Sequence, residues 1–140
     1  MKKSMCSSLV TFFIAALTPL ASSAGDFDGS RPLICASLFA TECRAESQEC
    51  ISGAPWDFNL PVFSELDFKT QTVSTTRTHQ DQRVSKIESV DHLPNGRLSL
   101  QGDDGQYSWS ALISEETGSM TLTVAGEEIG FLVFGACTVR

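Results

Sequence analysis

Residues 95–138 read NGRLSLQGDDGQYSWSALISEETGSMTLTVAGEEIGFLVFGACT, a run in which apolar and polar side chains alternate between turn signals. Asn95-Gly96 suits a type I′ turn, which needs positive φ at both central residues and joins two antiparallel strands. Leu98 and Leu100 then share one face. Asp103-Asp104-Gly105 turns the chain, and Tyr107, Trp109, Ala111 and Ile113 fall on the core side while Gln106, Ser108 and Ser110 face away. A turn over 114–118 leads to Met120, Leu122 and Val124 facing inward, and Gly126 to Glu128 turns again. The last strand, 129–139, is apolar on both faces. Such a strand is expected to be covered on both sides, in a central position or against the N-terminal segment. Short, evenly spaced strands joined by tight turns predict a mainly β fold: an antiparallel meander of seven to eight strands closing as a small barrel or sandwich.

Working upstream, the segment 83–93 has Val84, Ile87, Val90 and Leu93 every third residue. That spacing fits a helix face, but Ser85, Ser89 and Val90 are poor helix formers, and a bulged strand is the reading preferred. Val62, Ser64, Leu66 and Phe68 alternate with Glu65, Asp67 and Lys69 as in a half-buried strand. It runs into TQTVSTTRT, a polar β-branched stretch expected to be solvated or at an edge. Residues 25–61 read as a Cys-rich irregular segment: one strand over 33–39, a cysteine-held loop with a weak helical-turn signal over 41–46, then the proline-flanked APWDFNLP.

Residues 1–24 carry Lys2 and Lys3, an apolar stretch from Leu9 to Leu17 and a small-residue Ser22-Ser23-Ala24 end. This is the pattern of a secretory signal peptide cut after Ala24, leaving one β domain over 25–140. The destination is the periplasm or the medium. The full chain has net charge −7; loss of Lys2 and Lys3 leaves 8 basic against 17 acidic residues, or −9. An acidic surface repels phosphate backbones and anionic head groups, which excludes nucleic acid and favours a cationic partner or plain solubility. No later apolar run reaches the roughly 18 residues of a spanning helix, so no membrane span is expected.

Four of the five cysteines follow the leader: Cys35, Cys43, Cys50 and Cys137. Three pairings are open to four cysteines. Cys43 with Cys50 and Cys35 with Cys137 is the pairing expected, the first closing a polar loop and the second stapling the N-terminal strand to the last one. Their spacing lacks the Cys-x-x-Cys of a thiol exchanger and the close pairs of a zinc knuckle.

No motif carries catalysis or a cofactor. His79 and His92 are the two histidines, with no nucleophile elbow in the chain. Asp26 and Asp28 resemble the start of a calcium loop, but the twelfth position is Ser37 where a bidentate Glu is required. Asp103-Asp104, Glu115-Glu116 and Glu127-Glu128 are turn residues. Trp56, Phe58, Tyr107 and Trp109 are the candidate ligand or partner surface, with Trp56 and Phe58 capping an open end of the barrel.

The pieces LQG, WS followed by ISEETG, and the terminal FGACT, with RPLICA and FNLPVF upstream, resemble small secreted bacterial proteins of uncharacterised function. The resemblance implies export and a β fold, with Trp109, Thr117, Gly118, Gly135 and Cys137 as core, turn and staple. The expected function is a non-enzymatic binding module of the bacterial envelope, taking a small apolar ligand inside or a cationic protein, for instance an envelope-attacking lysozyme, outside. The alternatives are an envelope-directed hydrolase built on His79 or His92, and a structural accessory protein using an uncovered last strand.

Overall fold

The computed structural model describes residues 26–75 and 82–140. The signal-peptide reading of 1–24 and the candidate His79 lie outside the described residues. Among the described residues nine strands form: β1 (Leu33–Arg44), β2 (Cys50–Gly53), β3 (Phe63–Asp67), β4 (Thr72–Thr75), β5 (Val84–Leu93), β6 (Arg97–Asp103), β7 (Ser108–Ser114), β8 (Ser119–Ala125) and β9 (Ile129–Val139). Every pairing is antiparallel, neighbours follow the order β1-β3-β4-β5-β6-β7-β8-β9, and β9 pairs back onto β1. Eight strands thus close a barrel, and β2 is a ninth strand on the flank of β1. The choice left open between barrel and sandwich resolves as a barrel. At this strand number the interior is just wide enough to be filled by side chains or to hold one small ligand.

The hairpin run forms as its sequence dictates. Asn95 and Gly96 have φ of 71° and 65°, the double positive value of a type I′ turn. The bulged-strand reading of 83–93 holds: β5 shifts register against β6 between Ile87 and Ser89. The extra residue there puts Ile87 and Val90, three apart, on the same inner face, whereas Val84 and Leu93 of the same series point outward.

Three expectations are corrected. The first strand does not end at Phe39 but runs twelve residues to Arg44, and the helical turn over 41–46 gives way to strand. The cause is pairing: β9 lies along the whole of β1, while the other edge of β1 meets β3 over 33–36 and β2 over 40–43. The residues 72–75 of the polar TQTVSTTRT stretch form β4, which is no edge, since β3 and β5 flank it. Finally, β9 is covered only on its inner face. Its outer side chains Leu132 and Phe134 are 37% and 43% exposed, because a strand between two neighbours in a closed barrel has water, not a second layer, outside it.

Both disulfides form as expected, Cys35–Cys137 across the seam and Cys43–Cys50 at the β1–β2 hairpin, in register with their strands. Two such bonds belong to an oxidising environment. Among the described residues no helix is long and apolar enough to cross a membrane.

Strand direction divides the barrel into two ends. One is filled: Leu33, Leu98, Leu100 and Ile113 are fully buried, and Phe27, Phe68 and Val139 pack against them. Phe27 is tied down by its backbone N–H donating to the Glu115 carbonyl (3.3 Å). The loops 45–49, 54–62, 104–107 and 126–128 lie at the other end, which the described residues leave open.

Candidate functional site

At the open end the apolar filling stops short and leaves a cavity of about 150 Å³. Its floor is Cys35, Leu66, Ala111 and Met120, members of the buried cluster that fills the other end. One wall, from β7, β8 and β9, is apolar: Trp109, Leu122, Val124 and Val133. The opposite wall, from β1, β3, β4 and β5, carries Ser37, Ser64, Thr75 and Ser85. Leu60 and Pro61 of the 54–62 loop, with Arg83, Asp104 and Tyr107, frame the mouth. Beyond Leu60, Tyr107, Arg83 and Val124, which border both spaces, an outer recess of about 180 Å³ is bounded by Glu42, Arg44, Phe58 and Phe131.

Trp109 is positioned by three neighbours. It stands opposite Gly102 on β6, and a β-carbon at Gly102 would collide with the Trp109 ring and with the Lys86 carbonyl oxygen. Its indole N–H donates to Ser85 Oγ (2.6 Å), and that hydroxyl donates on to the Asp103 carbonyl (3.0 Å). A large ring is thereby held flat against the cavity with its polar atom satisfied. Tyr107 is set by the Asp104 turn, whose carboxylate accepts the backbone N–H of Gln106 (3.0 Å) and Tyr107 (2.8 Å).

The Asp103-Asp104-Gly105 sequence acts as turn chemistry. Asp103 accepts from the Ser108 hydroxyl (2.8 Å) and the Gly105 N–H (2.6 Å), and these bonds, the hydroxyl first, hold its carboxyl below the ordinary aspartate value. In the outer recess, Glu42 is buried within the barrel wall and bound by Arg44 Nε at 2.5 Å. That bond, reinforced by the carboxylate's charge, raises the Arg44 guanidinium above its usual value.

The structure brings two of the four aromatic candidates together. Tyr107 and Trp109 line the cavity. Phe58 faces the recess, in the capping position expected. Trp56 does not cap: it sits on a single 3₁₀ turn, Pro55–Phe58, and is 67% exposed. Pro55 is the buried residue of that turn, and Asp57 accepts the Ala54 N–H (3.1 Å), so the loop points its proline inward and its indole outward. His92 lies at the filled end, where its Nδ1 meets Glu115 Oε1 at 2.7 Å in an exposed pair away from the cavity and the recess.

Sequence reading missed Ser37, Ser64, Arg83, Glu42 and Arg44. For Glu42 and Arg44 the reason is a register shift in β1 between Ser37 and Phe39. Up to Ser37 the odd-numbered side chains point inward, and after the bulge Ala40 and Glu42 do, so no single alternation runs through the strand. Leu38, 67% exposed, occupies the bulge and is the signal that could have revealed it.

No protein-family model, curated protein or solved structure matches this chain.

Proposed function

We propose that the protein is an exported, non-enzymatic binding module of the bacterial envelope that holds a small apolar ligand at the open end of its barrel. The observation that carries this reading is the cavity of about 150 Å³ between the Trp109–Leu122–Val133 wall and the Ser37–Ser64 wall. Barrels of eight strands close their interior with side chains or leave room for one guest. Here one end of the interior is packed, and the described residues leave a cavity toward the other. Unfilled apolar space costs stability because its lining lacks contact partners, and a guest of matching size restores those contacts. Export through the leader ending at Ala24 fits the two disulfides, and the periplasm or the medium is the expected destination. The acidic balance favours neither nucleic acid nor anionic lipid as the guest's carrier.

Native mass spectrometry of the protein, isolated non-reduced from its exported fraction, tests the reading. An added non-covalent mass, lost in a Leu122→Trp variant that fills the cavity, is the expected result. A bare polypeptide mass, together with no uptake of benzene or toluene by the purified protein, would refute it.

A second reading, attachment to a partner protein, is supported by the outer face, where Phe39 on β1 stands opposite Phe134 on β9 and both are over 40% exposed. Exposed apolar neighbours on an otherwise acidic domain suit a cationic partner. Cross-linking in intact cells tests it: a specific adduct lost in Phe134→Lys supports this reading, and an adduct pattern indifferent to that change removes it.

A further inference from the structure

The cavity's two walls differ in a way that bears on what its guest must be. Besides the Tyr107 phenol at its mouth, four hydroxyl side chains line it: Ser37, Ser64, Thr75 and Ser85. Two of them are engaged by the fold itself. Thr75 Oγ1 accepts the Arg83 backbone N–H (3.1 Å), and Ser85 Oγ bridges the Trp109 indole and the Asp103 carbonyl. Among the described residues the other two, Ser37 and Ser64, make no side-chain hydrogen bond with one another or with the fold around them, and both line the cavity.

These two serines are neighbours. Ser64 pairs in register with Cys35, and Ser37 is two residues further along β1, its N–H bonded to the Val62 carbonyl. They therefore lie diagonally on one inner face, about 7–8 Å apart at the backbone, close enough for the two hydroxyls to converge on one small group. Each can donate and accept. A fold needing only small side chains at these positions would be served by alanine. Serine adds a polar group to an apolar chamber, and this has a use when something in the chamber hydrogen-bonds to it.

Resting on the reading of this cavity as a ligand site, we propose that its ligand is a ring-sized apolar molecule bearing a hydrogen-bonding oxygen, a phenol or cyclic ketone in chemical class. The apolar body lies against Trp109, Leu122 and Val133, and the oxygen takes the Ser37 and Ser64 hydroxyls. Size follows from volume, since an apolar cavity of about 150 Å³ accepts a benzene-sized guest.

Phenol and toluene, which differ by a hydroxyl in place of a methyl, are the probes. Affinities of both are measured by titration for the intact disulfide-bonded protein and for Ser37→Ala/Ser64→Ala. Comparing each probe across the two proteins cancels its own cost of leaving water. The expected result is a loss of about tenfold for phenol, the worth of one to two hydrogen bonds, with toluene unchanged or slightly tighter. Toluene binding also shows that the variant is folded, and Ser64→Ala alone provides a milder change. Equal effects on both probes, or phenol binding indifferent to the substitutions, would overturn the proposal and leave the apolar site standing. If neither probe binds the unaltered protein, the cavity reading itself fails.

Discussion

Gly102→Ala is expected to be among the most damaging single methyl additions to this barrel. The added β-carbon meets the Lys86 carbonyl oxygen on β5 and the six-membered ring of Trp109 on β7. The carbonyl belongs to a strand held on both sides, so the ring must move. Overpacking of this kind costs roughly 1–3 kcal/mol, and displacing the indole breaks its bond to Ser85, about 1 kcal/mol more. The expected destabilisation is therefore about 2–4 kcal/mol. In a domain of roughly 115 residues the unfolding entropy is about 0.24 kcal/mol per degree, so the melting temperature should fall by about 8–17 °C. Gly105→Ala is the control. Gly105 has φ of +87° with nothing within 4 Å of a new β-carbon, so it carries only the backbone cost of a left-handed alanine, about 1 kcal/mol. The assay is thermal unfolding followed by Trp emission, with urea titration at 25 °C alongside. A Gly102→Ala protein within 0.5 kcal/mol of the parent, or less affected than Gly105→Ala, would refute the packing argued for Trp109.

The two disulfides should differ in worth: on loop-closure entropy, replacing Cys35 and Cys137, 102 residues apart, costs about 4.7 kcal/mol, against about 2.5 for Cys43 and Cys50, seven apart. Urea midpoints of the two paired serine variants measure the difference, and equal losses would contradict the seam's role. Asp67 and Asp103 have lowered carboxyl values, Asp67 chiefly through the Thr70 backbone N–H and Asp103 through the Ser108 hydroxyl. Their stabilisation is present above the unfolded value near 3.8 and is lost as pH falls through the lower folded values. Asp103→Asn should accordingly reduce the drop in urea midpoint between pH 5 and pH 2; an unchanged drop would remove Asp103 as a contributor. Leu122→Trp should fill the cavity and abolish toluene uptake while leaving the fold's far-UV spectrum intact.

Much of the barrel could be read from the chain because its C-terminal half obeys one rule at a time. Between Arg97 and Ala125 each strand alternates strictly and each turn carries its own signature, so face, register and turn type follow locally. The N-terminal third was less legible because its structure is set by distant partners. β1 extends to Arg44 through pairing with β9, nearly a hundred residues away, and the bulge at Leu38 reverses which side chains face inward. A short apolar run followed by Thr41-Glu42-Cys43-Arg44 looks like strand then loop until Glu42 is seen inside the wall against Arg44. The candidate site divides along the same line. Trp109, on a regularly alternating strand, and Tyr107, in the turn just before it, were visible in advance; Ser37, on the far side of a long-range pairing, was not. Trp56 was misjudged because Pro55, rather than the larger indole, fills the space beneath its loop.

The most direct test of the account is an NMR titration of the disulfide-bonded protein with toluene, following side-chain methyl signals and the Trp indole N–H signals. Saturable shifts are expected at Ala111, Met120, Leu122, Val124, Val133 and the Trp109 indole, with Trp56 and the filled-end residues Leu98 and Ile113 unmoved. Shifts confined to the outer face around Phe134, or none at all, would contradict a ligand-holding barrel.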